Sequence, residues 1–67
     1  MNIVIQNIDS NDIITNIKYT SHIPSIGECM ELYVDDKFEL FRIANVVHIY
    51  SISNIIDFIR IYVYIDR

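Results

Sequence analysis

Glycine and proline are almost absent from this sequence, which has one of each, Gly27 and Pro24. A phosphate-binding loop of the usual kind needs several glycines, because its backbone must approach the phosphate closely. The single glycine therefore excludes a glycine-rich nucleotide loop. It also predicts one irregular connection, over residues 21–28, where Pro24 lacks an amide donor and Gly27 can adopt a positive φ.

Cysteine occurs once, at Cys29, so no disulfide can form within the chain and the sequence fits a reducing cytoplasm. With Glu28, His22 and His48, this cysteine is part of the only candidate metal-ligand set. No two of these ligands have the close spacing that is typical of zinc sites. The sequence therefore predicts no metal and no cofactor.

Catalytic arrangements are equally scarce. Cys29 follows Glu28, so it lacks the electropositive setting that activates a thiolate. Adjacent carboxylates such as Asp35 and Asp36 point apart in a turn, whereas acid–base catalysis needs groups that converge on a cleft. We therefore expect a protein without enzymatic activity and without catalytic residues.

Positive charge is also scarce, since nine acidic and five basic residues give a net charge of −4 and a pI near 4.7. Nucleic-acid binding needs clustered lysines and arginines, so it is predicted to be absent. No apolar run reaches the roughly 18 residues of a membrane helix. The N-terminal MNIVIQNIDS has neither the basic start nor the apolar region of a signal peptide, and we expect a cytoplasmic protein.

The chain is instead rich in β-branched residues: apolar types make up 52% of it, and sixteen of its 67 residues are isoleucine. Its length allows one domain, residues 1–67. Such a small domain hides only about 60% of the surface of its unfolded chain. We therefore expect an exposed apolar patch, and with it a partner or a self-association surface.

Alternation of apolar and polar residues predicts strands rather than helices, since β-branched and aromatic side chains pack well on a pleated surface. A bulge is expected near Ala44 and Asn45, and a helix over residues 51–58 is the less favoured alternative for that segment. The predicted fold is all-β: a small five-stranded antiparallel barrel, closed or half-closed, SH3-like, with an OB-type barrel as the alternative. The five predicted strands are residues 2–8, 13–20, 29–34, 38–50 and 55–66.

The stretch IPSIGECMELYVDDKFELFRIANVVHIY, followed later by IRIYVYI, resembles small SH3-like barrel proteins of bacteriophages and other mobile elements. The pattern is carried by a proline, a Gly-Glu pair and a Val-x-His-x-Tyr strand, and it covers about two-thirds of the chain. The resemblance implies a barrel and a viral or mobile-element origin, and it transfers no catalytic residue. The matching positions are Pro24, Gly27, Glu28, Phe41, Ile43, Val46, His48 and Tyr50.

The last strand presents two different faces. Aromatic residues and an arginine are predicted to lie outside, and they alternate with the residues of the inner side. That inner side carries Ile55, Asp57, Ile59, Ile61, Val63 and Ile65. Aromatic rings beside arginine are typical of binding hot spots. The alternative is a solvent-exposed sheet face without a binding role, since tyrosine is common in strands and keeps its hydroxyl group in water. The candidate binding residues are Phe58, Arg60, Tyr62 and Tyr64, joined from other strands by Tyr33 and Tyr50.

Three functions remain open at this point. The first is a non-catalytic binding module, encoded by a phage or mobile element, that binds a host protein or sequesters a small ligand, as a counter-defence or accessory inhibitor. The second is a structural or assembly component of a virion. The third is a nucleotide-binding regulator, in which Arg60 and the neighbouring tyrosines stack a base. All three are compatible with a homo-oligomer that makes contact through the last strand or its outer face.

Overall fold

The computed structural model describes residues 2–18, 23–53 and 56–66, without the side chains of Ile56 and Asp57. Within these residues there is no helix, which confirms the predicted all-β class and excludes the helical alternative for the described part of 51–58. Three residues of the predicted strands, Tyr19, Thr20 and Ile55, lie outside the described part. The five strands are β1 (Asn2–Asn7), β2 (Ile13–Ile17), β3 (Cys29–Val34), β4 (Lys37–Tyr50) and β5 (Ile56–Ile65).

The strands form one strongly curled sheet in the order β2-β1-β5-β4-β3, so that the domain is a half-barrel. β5 lies at the centre, while β2 and β3 are edges that are not hydrogen-bonded to each other. One pairing departs from the predicted antiparallel arrangement, because β1 and β5 are parallel. Parallel neighbours need a long crossover, and here the chain from β2 to β4 supplies it.

The hydrophobic core lies on the concave side of the curl and comes from the three central strands. β5 contributes Ile59, Ile61 and Val63, each fully buried, as the alternation predicted. Every second residue of β3 is partly buried against this core, and the residues between them are exposed. The partly buried residues are Met30, Leu32 and Val34. The remaining core residues are Ile3 and Ile5 of β1 and Phe41 and Ile43 of β4.

Three register shifts interrupt the strand pairing, and one of them lies between Ile49 and Tyr50, at the end of β4. The register of β4 against β5 shifts between Ile43 and Asn45, at the position where the sequence predicted a bulge. Another shift, between Ile5 and Gln6 of β1, places Ile13 opposite Gln6. Ile13 is exposed, although strict alternation along β2 would place it on the same face as Thr15 and Ile17. Bulges increase local twist, which is consistent with the strong curl.

A two-residue turn joins β3 to β4, since Val34 pairs with Lys37. Asp35 and Asp36 both have positive φ, 52° and 64°, as the type I′ hairpin turn requires. Residues flanking such a turn form a hydrogen-bonded pair, and pairs then alternate along the hairpin. The backbone groups of Cys29, Glu31 and Tyr33 therefore point away from β4, towards the free edge of the sheet.

We expect Ile61→Ala to lower the free energy of unfolding by about 2–5 kcal/mol, because it leaves a cavity between buried neighbours. Ile61→Val should lower it by about 0.5–1.5 kcal/mol. Urea unfolding followed by circular dichroism measures both. Ile52→Ala is the matched control, because that side chain is fully exposed. Equal losses for Ile61→Ala and Ile52→Ala would contradict this account of the core.

Candidate functional site

The candidate site is the outer face of the sheet, on the side opposite the core. Phe58, Arg60, Tyr62 and Tyr64 alternate with the core residues of β5 and so lie on this face. All four are half-buried. Because β5 is the central strand, this row is flanked by β1 and β4 on its two sides. The structure therefore brings together four of the six predicted binding residues.

Arg60 lies on the central strand of the sheet, and the described residues offer it no counter-ion. Its register partners are Val4 on β1 and Val47 on β4, which are both apolar. The Arg60 Cζ atom is 5.5 Å from the centroid of the Phe58 ring, within the range of a cation–π contact. Its Nε atom is buried and has no hydrogen-bond partner.

Arg42 also lies on the outer face, but its guanidinium has hydrogen-bond partners. It pairs with Tyr64 across the sheet, and its guanidinium donates to Asp66 Oδ2 at 2.8 Å and to the Gly27 carbonyl at 2.7 Å. The hydrogen bond and the charge of Asp66 raise the pKa of Arg42 above its usual value. Arg42 therefore holds the end of β5 and the connection before β3 together, and this is a structural role.

The most exposed aromatic rings lie elsewhere on the outer face. Tyr33 and Phe38 face each other across the β3–β4 hairpin, 61% and 68% exposed. Their ring centroids are 5.0 Å apart with 20° between the planes. By the alternation along the hairpin they form a non-hydrogen-bonded pair, in which side chains approach most closely. We call these two residues the aromatic pair.

Phe38 was missed as a site residue, and so was Leu40, the next outward-facing residue of β4, which is also exposed. The available signal was the DDK turn, which predicts the hairpin and so places Phe38 opposite Tyr33. The bulge expected near Ala44 and Asn45 changes which side chains of the long fourth strand face outward, so alternation alone did not identify the pair.

The predicted site does not converge to a single point. Phe38 lies three residues beyond Phe41, the partner of Ile65 near the end of β5, so it is roughly 10 Å further along the strand direction. Phe58 lies at the opposite end of β5. Tyr50 is exposed at the end of β4 and pairs with Ile56 beyond a register shift, not with any other site residue. The outer face is an extended surface.

The described residues contain no group of three histidine, cysteine or acidic side chains placed to hold a metal ion. Cys29 Sγ lies 3.6 Å from Asp66 Oδ2, so its nearest charged neighbours include a carboxylate as well as Arg42. His48 pairs with Ile59 and is exposed, and His22 lies outside the described part. No helix in the described residues could cross a membrane.

Comparison with known proteins returns no match among protein-family models, curated proteins or solved structures.

A double-mutant cycle on Tyr33→Ala and Phe38→Ala should give a coupling free energy of about 0.5–1 kcal/mol, the magnitude of aromatic cross-strand pairs. Urea unfolding of the two single variants and the double variant measures it. The control cycle combines Tyr33→Ala with Ile52→Ala, two positions without contact, which should be additive. Additivity in the first cycle would show that the rings do not stabilise each other.

Proposed function

We propose that this protein is a non-catalytic binding module that docks on another protein through the outer face of its sheet. The observation that carries the proposal is the aromatic pair, two stacked rings that remain more than half exposed beside Leu40. Exposed aromatic side chains bury a large area on binding with few rotatable bonds to order. The half-buried row on β5 extends this surface along the sheet.

The partner that we propose is a host protein, and the module is a phage- or mobile-element-encoded inhibitor. Support for the origin comes from the sequence resemblance around Pro24, Gly27 and His48. Support for the mode of action comes from the surface, since an extended face with exposed rings suits a protein partner better than an enclosed small ligand.

The double variant Tyr33→Ser/Phe38→Ser should lose the partner while keeping its fold, because both side chains are largely exposed. The measurement is affinity capture from a host-cell lysate with quantitative mass spectrometry. The specific partner is the protein retained by the wild type and by the control Ile52→Ser, but lost by the double variant. Recovery of the bait alone, or equal recovery with all three baits, would refute the proposal.

Self-association, which the composition predicted, is proposed at a sheet edge. β5 is central, so its backbone has no free edge and only its outer face could meet a second copy. β3 is an edge strand of the described sheet, and unpaired edges are templates for pairing. In an antiparallel β3–β3 pair centred on Leu32, the Leu32 residues of the two copies lie opposite each other. Glu31 of each copy then lies opposite Tyr33 of the other. A pair centred on Glu31 would instead oppose two carboxylates, which is destabilising.

We therefore expect light scattering to give twice the 7.9 kDa chain mass. In a Cys29→Ser background, Leu32→Cys should form a disulfide between copies, because a non-hydrogen-bonded pair places Cα atoms about 4.5 Å apart. Glu31→Cys is the matched variant, and it should cross-link only in the competing register. A monomer at high protein concentration would refute the edge pairing.

A further inference from the structure

We propose that the Arg60 end of the outer face binds an anionic group, a carboxylate or a phosphate, in a cleft between β5, β1 and β2. The cleft has a volume of about 530 Å³ and opens to solvent, a size that suits a mononucleotide or a short peptide segment. Its described lining is Asn2, Val4, Ile13, Asn16, Lys18, Phe58 and Arg60.

The charge of this lining is unusual for the chain. Only five residues of the protein are basic, and two of them, Lys18 and Arg60, line this one cleft. No described lining residue is acidic, although acidic residues outnumber basic ones in the sequence. A cleft with cations and no carboxylate favours anions through its local field, whatever the net charge of the protein.

Among the described residues, Arg60 has no acceptor of the kind that an anion would provide. Its two cross-strand neighbours are valines, and its buried Nε has no partner. A buried donor left unsatisfied is unfavourable, because it has lost its hydrogen bonds to water without gaining one in the protein. Because the guanidinium presents several donors in a planar fork, it matches the oxygens of a carboxylate or a phosphate.

The other lining residues fit the same ligand class. The Asn2 and Asn16 amides can donate to further oxygens of the ligand. Phe58, Val4 and Ile13 offer apolar surface next to the charged groups, so the preferred ligand carries its anionic group beside a flat or apolar part. Either a free small molecule or an acidic segment of a protein partner provides this chemistry.

Titration of the full chain with defined probes, followed by amide chemical shifts, tests the inference. Adenosine monophosphate and inorganic phosphate represent the free small anion, with adenosine as the uncharged match. A blocked Glu-Tyr-Glu peptide represents the protein segment, with Gln-Tyr-Gln as its match. We expect at least one of the anionic compounds to bind with a dissociation constant in the millimolar range or below. Its binding should change the amide chemical shifts of β1, β2 and β5. Adenosine and the Gln-Tyr-Gln peptide, the uncharged controls, should bind more weakly.

Arg60→Gln should weaken this binding about tenfold or more, as expected for the loss of a charge-assisted hydrogen bond. Lys37→Gln is the control, since Lys37 lies in the β3–β4 hairpin outside this cleft. Lys18→Gln, at an exposed position, gives a second test if the Arg60 variant is unstable.

Binding by none of the anionic probes, or binding that Arg60→Gln and Lys18→Gln leave unchanged, would overturn the inference. It rests on the proposed role of the outer face as a binding surface, but the two can fail separately. The capture experiment tests the aromatic pair, which lies in the β3–β4 hairpin, away from the cleft beside Arg60. The anion titration depends on Arg60 and Lys18.

Discussion

A single sheet has to enclose its own core in this protein, and the rest of the structure depends on that constraint. With no helix and no second sheet in the described residues, the apolar side chains can leave water only if the sheet curls around them. Three register shifts, one in β1 and two in β4, favour that curl. The curl stops at a half-barrel, so that in the described residues no further strand or helix covers the outer face or the edges at β2 and β3. The exposed features of the molecule follow from this geometry.

The sequence was sufficient to predict the features that depend on alternation. In a strand with one buried face, alternate side chains point to opposite faces, so only one arrangement buries the apolar residues. β5 and β3 both adopt that arrangement. The bulge in β4 was also predictable, since Ala44 and Asn45 interrupt the apolar pattern. In these places local sequence and tertiary packing favour the same arrangement.

Other features depend on which strands meet, and alternation carries no information about that. The parallel pairing of β1 with β5 joins segments from opposite ends of the chain. The outward position of Ile13 results from a register shift against β1, which the sequence of β2 does not indicate. The candidate site shows the same division. The row on β5 was predicted from one strand, whereas the aromatic pair needed the register of β3 against β4.

The two outer-face arginines show why a charged residue on a sheet must be interpreted from its neighbours. Arg42 lies where β5 ends, close enough to Asp66 and the Gly27 carbonyl to satisfy its guanidinium. Arg60 lies on the central strand between two valines, and its closest aromatic contact, Phe58, accepts no conventional hydrogen bond. The first residue stabilises the fold by joining separate segments. The second has a buried Nε donor without a partner, and a core-forming role does not account for a guanidinium at that position. Recognition of an anion does account for it.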